Sequence, residues 1–176
     1  MTLRLSPPHR NALTRTIEKL QRVHAVEAFD GGNKNLNRFL QQYALLNQNN
    51  GASQTYVGLA DQTVIGYYSL EVGSVEYEQA PERVIKGLAH HAIPIMLART
   101  TRCGLSLAEQ RDRAALLKDA MLRTLHAADI AGIRAFVVHA KDDVAKGFYE
   151  HFDFLPSPSD PLHLFLLLKD VRKIAS

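Results

Sequence analysis

Two places in the chain carry residue types able to do chemistry. The first is the junction within residues 93–125, where an apolar run, IPIMLA, passes through a polar crossing, ARTTRCGLSLAEQRDR, into a helix-forming tract, AALLKDAMLRTL. A strand that feeds a helix in this way sits at the centre of a sheet, and the free N–H groups of the helix start favour a phosphate-bearing ligand. The second is Tyr149, set between Phe148 and Phe152 in FYEHF. A phenol held by a helix can deliver a proton, a contribution of roughly 10²–10⁴-fold to a rate. The same spacing also suits an ordinary core residue.

Other chemistries find no frame. His90 and His91 are adjacent, while His24, His126 and His151 stand alone, so no pair has metal-ligand spacing. No GxSxG elbow presents a nucleophilic serine. His139 follows the apolar pair Val137–Val138 and either orients a substrate or simply ends a strand. Cys103 is the only cysteine, which excludes an intrachain disulfide, leaves one between two copies possible, and suits a reducing cytoplasm. The start of the chain has no apolar segment of signal-peptide length, and no stretch approaches a membrane span. A cytoplasmic protein is expected.

Lys plus Arg number 21 against 18 Asp plus Glu, a net charge of +3 that permits a nucleic-acid partner without requiring one. Arg111, Arg113, Lys118 and Arg123 on the long helix, with Arg134, Lys141 and Lys146, either form a phosphate-facing patch or are solvated helix faces.

The elements that must position these groups follow from periodicity. A length of 176 residues, 46% hydrophobic, suits one core and one domain, 1–176. Residues 1–22 read as an N-terminal extension, with a short helix possible over 11–20. The turn Asp30-Gly31-Gly32-Asn33 precedes a helical pattern, NLNRFLQQYALLNQ, that ends in the polar run 47–51. QTYVGLA and TVIGYYSLEVGSV read as a hairpin turning at Asp61 and Gln62, with Gly66 marking a bulge or close approach. A short helix is expected over 83–90, and a buried parallel strand in IRAFVVHA. Asp142 or Asp143 should cap the helix VAKGFYEHF, and LHLFLLLK should be a last strand ending near Lys169 and Asp170. Helix, hairpin, strand, helix, strand, helix, strand gives an α/β class with a mixed, twisted central sheet flanked by helices.

Taken in order, FDGGNKNLNRFL, TYVGLADQTVIGYYSLEVGSV, PIMLAR, LLKDAMLRTL, VHAKDDVAKGFYEHFDFLPSP and LHLFLLLKD resemble the GNAT (Gcn5-related N-acetyltransferase) superfamily over about residues 23–172. The closer likeness is to its toxin branch, which is paired with ribbon-helix-helix antitoxins. The resemblance implies an acyl-CoA N-acyltransferase fold and transfer of acetyl from acetyl-CoA to the α-amine of an aminoacyl-tRNA, which blocks translation. It implies a homodimer and an antitoxin partner. It makes Tyr149 the general acid that serves the departing thiolate, and it places the pantetheine arm along Met96, Leu97, Ala98, Arg99 and Thr100. It also makes Arg111, Arg113, Lys118, Arg123, Lys141 and Lys146 candidates for tRNA contact. Where the superfamily has Gly before the last Phe of the FYE motif, this chain has Asp153, which tolerates left-handed dihedrals better than most residues.

The family's pyrophosphate loop is Gln or Arg, two residues, Gly, one residue, then Gly or Ala. Counting back from Leu116 sets it over 108–113, with Arg111 and Arg113 at the small positions; a second register runs from Gln110 to Ala115. The cofactor candidates are therefore Glu109, Gln110, Arg111, Asp112, Arg113, Ala114 and Ala115, a tract without glycine. Ser106-Leu107-Ala108-Glu109 spells a capping box, and residues 107–128 are all compatible with helix, so an early helix start is expected. Three functional readings remain: an acetyltransferase toxin acting on charged tRNA, a GNAT fold with a degenerate loop that binds an antitoxin or regulates, and an acetyltransferase for small amines or protein N-termini.

Overall fold

The computed structural model describes residues 15–100 and 107–175. Its centre is a seven-stranded sheet of order β1-β2-β3-β4-β5-β7-β6, in which only β4 and β5 run parallel. The Thr-, Val- and Tyr-rich runs become β2 (Gln54–Ala60) and β3 (Thr63–Val75). Asp61 and Gln62 both take positive φ, 46° and 72°, the backbone whose twist matches a two-residue hairpin. Gly58 pairs with Gly66 and Leu59 with Val64, which leaves Ile65 as the extra residue of a bulge beside the expected Gly66. A Cβ on Gly58 would come within 3.3 Å of Leu116, so this glycine lets the sheet approach the long helix closely.

The strand β1 (Arg15–Lys19) corrects the reading of a helix over 11–20 for its described part, residues 11–14 lying outside the described residues. It zips antiparallel onto β2, with Ile17 turned toward the core. The β-branched pair Thr16–Ile17 suits an edge strand, and the open edge of β2 offers hydrogen bonds that a short isolated helix cannot match.

After β1, Asp30 Oδ1 accepts from Gly32 N and Asn37 Nδ2, both at 2.9 Å, and closes the glycine turn. Asn33 Oδ1 caps α1 (Lys34–Arg38) by accepting from Asn35 N and Leu36 N. A π turn (Phe39–Tyr43) links it to α2 (Ala44–Asn49). The short helix α3 (Glu82–Ile85) precedes β4 (Ile93–Thr100), and α4 (Leu107–Ala128) follows it. Then come β5 (Ala135–His139), α5 (Asp143–Glu150), β6 (Leu155–Pro156), β7 (His163–Leu167) and α6 (Leu168–Ala175). Asp142 Oδ1 caps α5 by accepting from Ala145 N at 2.8 Å, and Asp153 turns the chain after it at φ 67°.

The helix α6 corrects the second element reading, since the last strand stops at Leu167 and Lys169 and Asp170 lie on a helix. Leu168, Val171 and Ile174 recur every three residues, and the first two are buried against the α4 side of the sheet. Arg83 also binds the Asp170 carboxylate with both terminal nitrogens.

Strand alternation then sorts the core. Phe136 and Val138 face α4, α5 and α6 with Leu116, Leu117, Met121 and Leu166, while Ala135 and Val137 face the α3 side with Val84, Ile93 and Phe165. A third cluster, including Leu40, Val57 and Tyr67, lies beneath α1 and α2. Among the described residues no helix is long and apolar enough to cross a membrane.

Candidate active site

Strands β4 and β5 pair from Ile95 opposite Ala135 to Ala98 opposite Val138. Beyond that point Arg99 and Thr100 pair only with Ser69 and Tyr68 of β3, while His139 turns to His163 of β7. The two parallel strands therefore part, and the free edge of β4 borders a cavity of about 380 Å³. Leu97, Ala98, Arg99 and Thr100 line it from β4, and Ala145 and Tyr149 from α5. Arg113 of α4, with His139 at the end of β5 and Lys141 beyond it, completes that side. The opposite wall is Asn33, Asn35 and Leu36, the capped start of α1.

Tyr149 is buried, and its ring packs against Phe148 and Phe154 at centroid distances of 5.3 Å. This packing aims Oη at the parting of the strands, 2.5 Å from Thr100 Oγ1. Arg113 lays its guanidinium 3.9 Å over the Phe148 ring and 5.4 Å from the Tyr149 ring. Such contacts stabilise by about 0.5–2 kcal/mol. Its Nε is nonetheless buried without a hydrogen-bond partner among the described residues.

No family model matches the chain. A tRNA-acetylating toxin of Mycobacterium tuberculosis is 41% identical over 151 residues, covering 85% of this chain and 89% of that protein. The chain belongs to the GNAT-fold tRNA-acetylating toxin family. Among solved structures, AtaT complexed with acetyl-methionyl-tRNAfMet superposes with a TM-score of 0.81 at 26% identity, over 93% of this chain and all of that one (100%). A mutant AtaT toxin bound to the C-terminus of the antitoxin AtaR and acetyl-CoA gives 0.75 at 25% identity, over 92% and 97% of the two chains.

The cavity fits one part of the acyl donor that this family uses. The unpaired edge of β4 at Arg99 and Thr100 presents backbone groups to which a pantetheine arm can bond as a strand does. The second part finds no backbone cradle over 111–115, where both small positions of each sequence register fall. Because α4 begins at Leu107, the N–H groups from Arg111 onward are engaged in i to i−4 bonds, so 111–115 is helix rather than an anion-binding loop. Glu109 in the first turn further disfavours an anion at that helix start. Ser106, the cap expected from the sequence, lies outside the described residues.

The other candidates scatter. Met96 points into the core. Asp112 pairs with Arg15 of β1 at 2.7 Å, and Ala114 and Ala115 line smaller hollows elsewhere on α4. Glu109, Gln110, Arg111 and Lys118 are exposed. Arg123 bonds Asp119 at 2.9 Å and stacks 4.0 Å over Tyr56, and Lys146 lies 3.5 Å from Glu150. Of the six cations assigned to tRNA, only Arg113 and Lys141 reach the cavity. Asn33, Asn35 and Leu36 are absent from the sequence-based list. The Asp-Gly-Gly-Asn turn announces a helix start there, but only the sheet order sets it opposite Tyr149.

His139 lines the cavity with its ring 5.6 Å from His163 and its Nε2 3.7 Å from Asp160. Burial holds the His163 pKa below the ordinary 6.5, His139 lowers it further, and Asp160 opposes both. The unfolded chain therefore takes up this proton first as the pH falls, and the native state loses stability below about pH 6.5. Denaturant midpoints at pH 7.5 and 5.5 should drop less in His163→Gln than in the wild type; equal drops would remove His163 from the cause.

Proposed function

We propose that this chain transfers the acetyl group of acetyl-CoA to the α-amine of an aminoacyl-tRNA and so blocks translation. The observation that carries this reading is Tyr149 Oη beside Thr100, aimed into the cavity where β4 and β5 part. Acetyl-CoA, when bound, supplies an activated acetyl thioester. Arg99 and Thr100 hold its arm by their backbone, and Tyr149 Oη carries a proton to the position where sulfur departs. Thr100 Oγ1 fixes the direction of that hydroxyl. An α-amine has a reference pKa near 8, so a sizeable neutral fraction is present at cellular pH and no strong buried base is required.

The family supports charged tRNA as the acceptor, since the mycobacterial relative is named for acetylating tRNA and the AtaT complex holds an acetylated aminoacyl-tRNA. Exposed Arg111 and Lys118 offer contacts to the RNA backbone, while Arg123 and Lys146 already have carboxylate neighbours. By the same kinship the partners are a second copy of the chain and a ribbon-helix-helix antitoxin, in the cytoplasm. In the assay, radiolabelled acetyl should pass from acetyl-CoA to charged tRNA, and neither to the same tRNA stripped of its amino acid nor comparably to free amines. Preferential labelling of free amines or protein N-termini would replace this reading with that of a small-amine or N-terminal acetyltransferase.

One observation favours a second reading, a GNAT fold that binds its antitoxin without using acetyl-CoA. The long helix runs unbroken through Arg111 to Ala115 and withholds the backbone cradle.

A further inference from the structure

A cavity of about 640 Å³ lies at the other end of the sheet from Tyr149. Arg134, which leads into β5, and Lys169, which follows β7, both line it. Ala135 pairs with Leu167 and His139 with His163, so the whole length of β5, roughly 13 Å, separates this end from the parting of the strands. The two cavities share no lining residue.

Its walls are braced. Ser157, buried in the loop between β6 and β7, donates to Gln79 O at 2.6 Å and so ties Pro156 and Pro158 on one wall to Pro81 on the other. Arg134 donates from Nε to Val84 O and from Nη2 to Lys86 O, which fixes the turn after α3. Arg83 is held by Asp170. Proline walls and anchored guanidiniums leave little to reorganise on binding, which lets a modest contact area yield affinity.

The charge is one-sided. Arg83, Lys86, Arg134 and Lys169 line the cavity against one carboxylate, Glu82. Asp170 answers Arg83, but Lys86, Arg134 and Lys169 have no ion-pair partner among the described residues, and both lysines are exposed.

We propose that this groove docks an extended acidic peptide of a partner protein, whose carboxylates meet Lys86, Arg134 and Lys169 while its apolar side chains lie on the prolines. Two other occupants fit less well. A single nucleic-acid strand is held by stacking its bases on aromatic rings, and no aromatic ring lines the cavity among the described residues. A second copy of the chain would bring a net charge of +3 towards these cations. The site lies outside the acetyl-transfer reading and does not depend on it.

Fluorescence anisotropy of the full-length protein tests this, with a labelled peptide of about twelve residues that alternates Glu with Ala or Pro, its Gln-for-Glu counterpart, and deacylated tRNA as probes. Wild type should bind the acidic peptide and not the Gln peptide. Lys86→Glu combined with Lys169→Glu should weaken acidic-peptide binding at least about tenfold. Thermal melts check folding, and Lys86→Gln with Lys169→Gln, a milder change, should give a smaller loss in the same direction. No binding of the acidic peptide by the wild type, equal binding of the two peptides, or equal affinity in wild type and both double variants would overturn the proposal. Double variants that bind tRNA more weakly and the acidic peptide as before would assign the groove to RNA and overturn it as well.

Discussion

Tyr149→Phe lowers the acetyl-transfer rate by roughly 10²–10⁴-fold, while the affinity for acetyl-CoA and the fold stay as they are. The substitution removes one hydroxyl and keeps the ring that packs on Phe148 and Phe154. Its hydrogen-bond partner Thr100 is only half-buried and lines the cavity, so water can replace the phenol there at about 1 kcal/mol or less. The loss should fall on kcat and kcat/KM together, as expected for an interaction that matters only as the thioester breaks. A variant with wild-type kcat would show that the phenol is a core residue whose position beside the cavity is incidental.

Phe136→Ala should destabilise the protein by about 3–5 kcal/mol, a large share of the roughly 5–15 kcal/mol that typical domains have. The ring is fully buried on β5 between Met96 of β4 and Leu166 of β7, and it meets Phe154 edge-on at 6.1 Å. Phe154 in turn packs on Tyr149, so the cavity left by the missing ring lies two contacts from the Tyr149 hydroxyl. Urea midpoints measure the loss, and activity should fall well before global unfolding because Tyr149 is no longer held in one orientation. A loss below about 1 kcal/mol would mean that neighbouring side chains close the void, contrary to the close packing seen here.

How much of this was legible in the sequence depended on whether local signals and tertiary demands agreed. The run at 93–98 is apolar and short, and residues 105–131 contain neither glycine nor proline, so strand β4 and helix α4 stand out. The same helix propensity overrides both registers of the expected pyrophosphate loop: with no glycine from Arg111 to Ala115, nothing halts the helix at the phosphate. Asp142 and Asp153 were readable for similar reasons, one as an acceptor at a helix start and the other as a residue that tolerates positive φ. The boundary between β7 and α6 was not readable, because Leu164 to Leu168 are all apolar and the same leucines satisfy a strand or a helix. Nor was β1, whose conformation is imposed by the edge of β2 more than by its own residues.

The candidate site divides in the same way. Tyr149 and the segment from Met96 to Thr100 stand out through the family resemblance rather than through a local pattern, and Tyr149 and Leu97 to Thr100 border the cavity. Asn33, Asn35 and Leu36 do not stand out, since only the strand order brings the start of α1 across from α5. Arg113 stands out in the sequence by its charge and its place in the loop registers, but its stacking on Phe148 depends on the register in which α4 packs against α5.

The most direct measurement is mass spectrometry of the aminoacyl-adenosine released from the 3′ end of charged tRNA after incubation with the protein and acetyl-CoA. The account predicts one added acetyl group on the α-amine with the wild type, and almost none in the same time with Tyr149→Phe. Unmodified aminoacyl-adenosine in the wild-type reaction, or acetyl found on another atom, would contradict it.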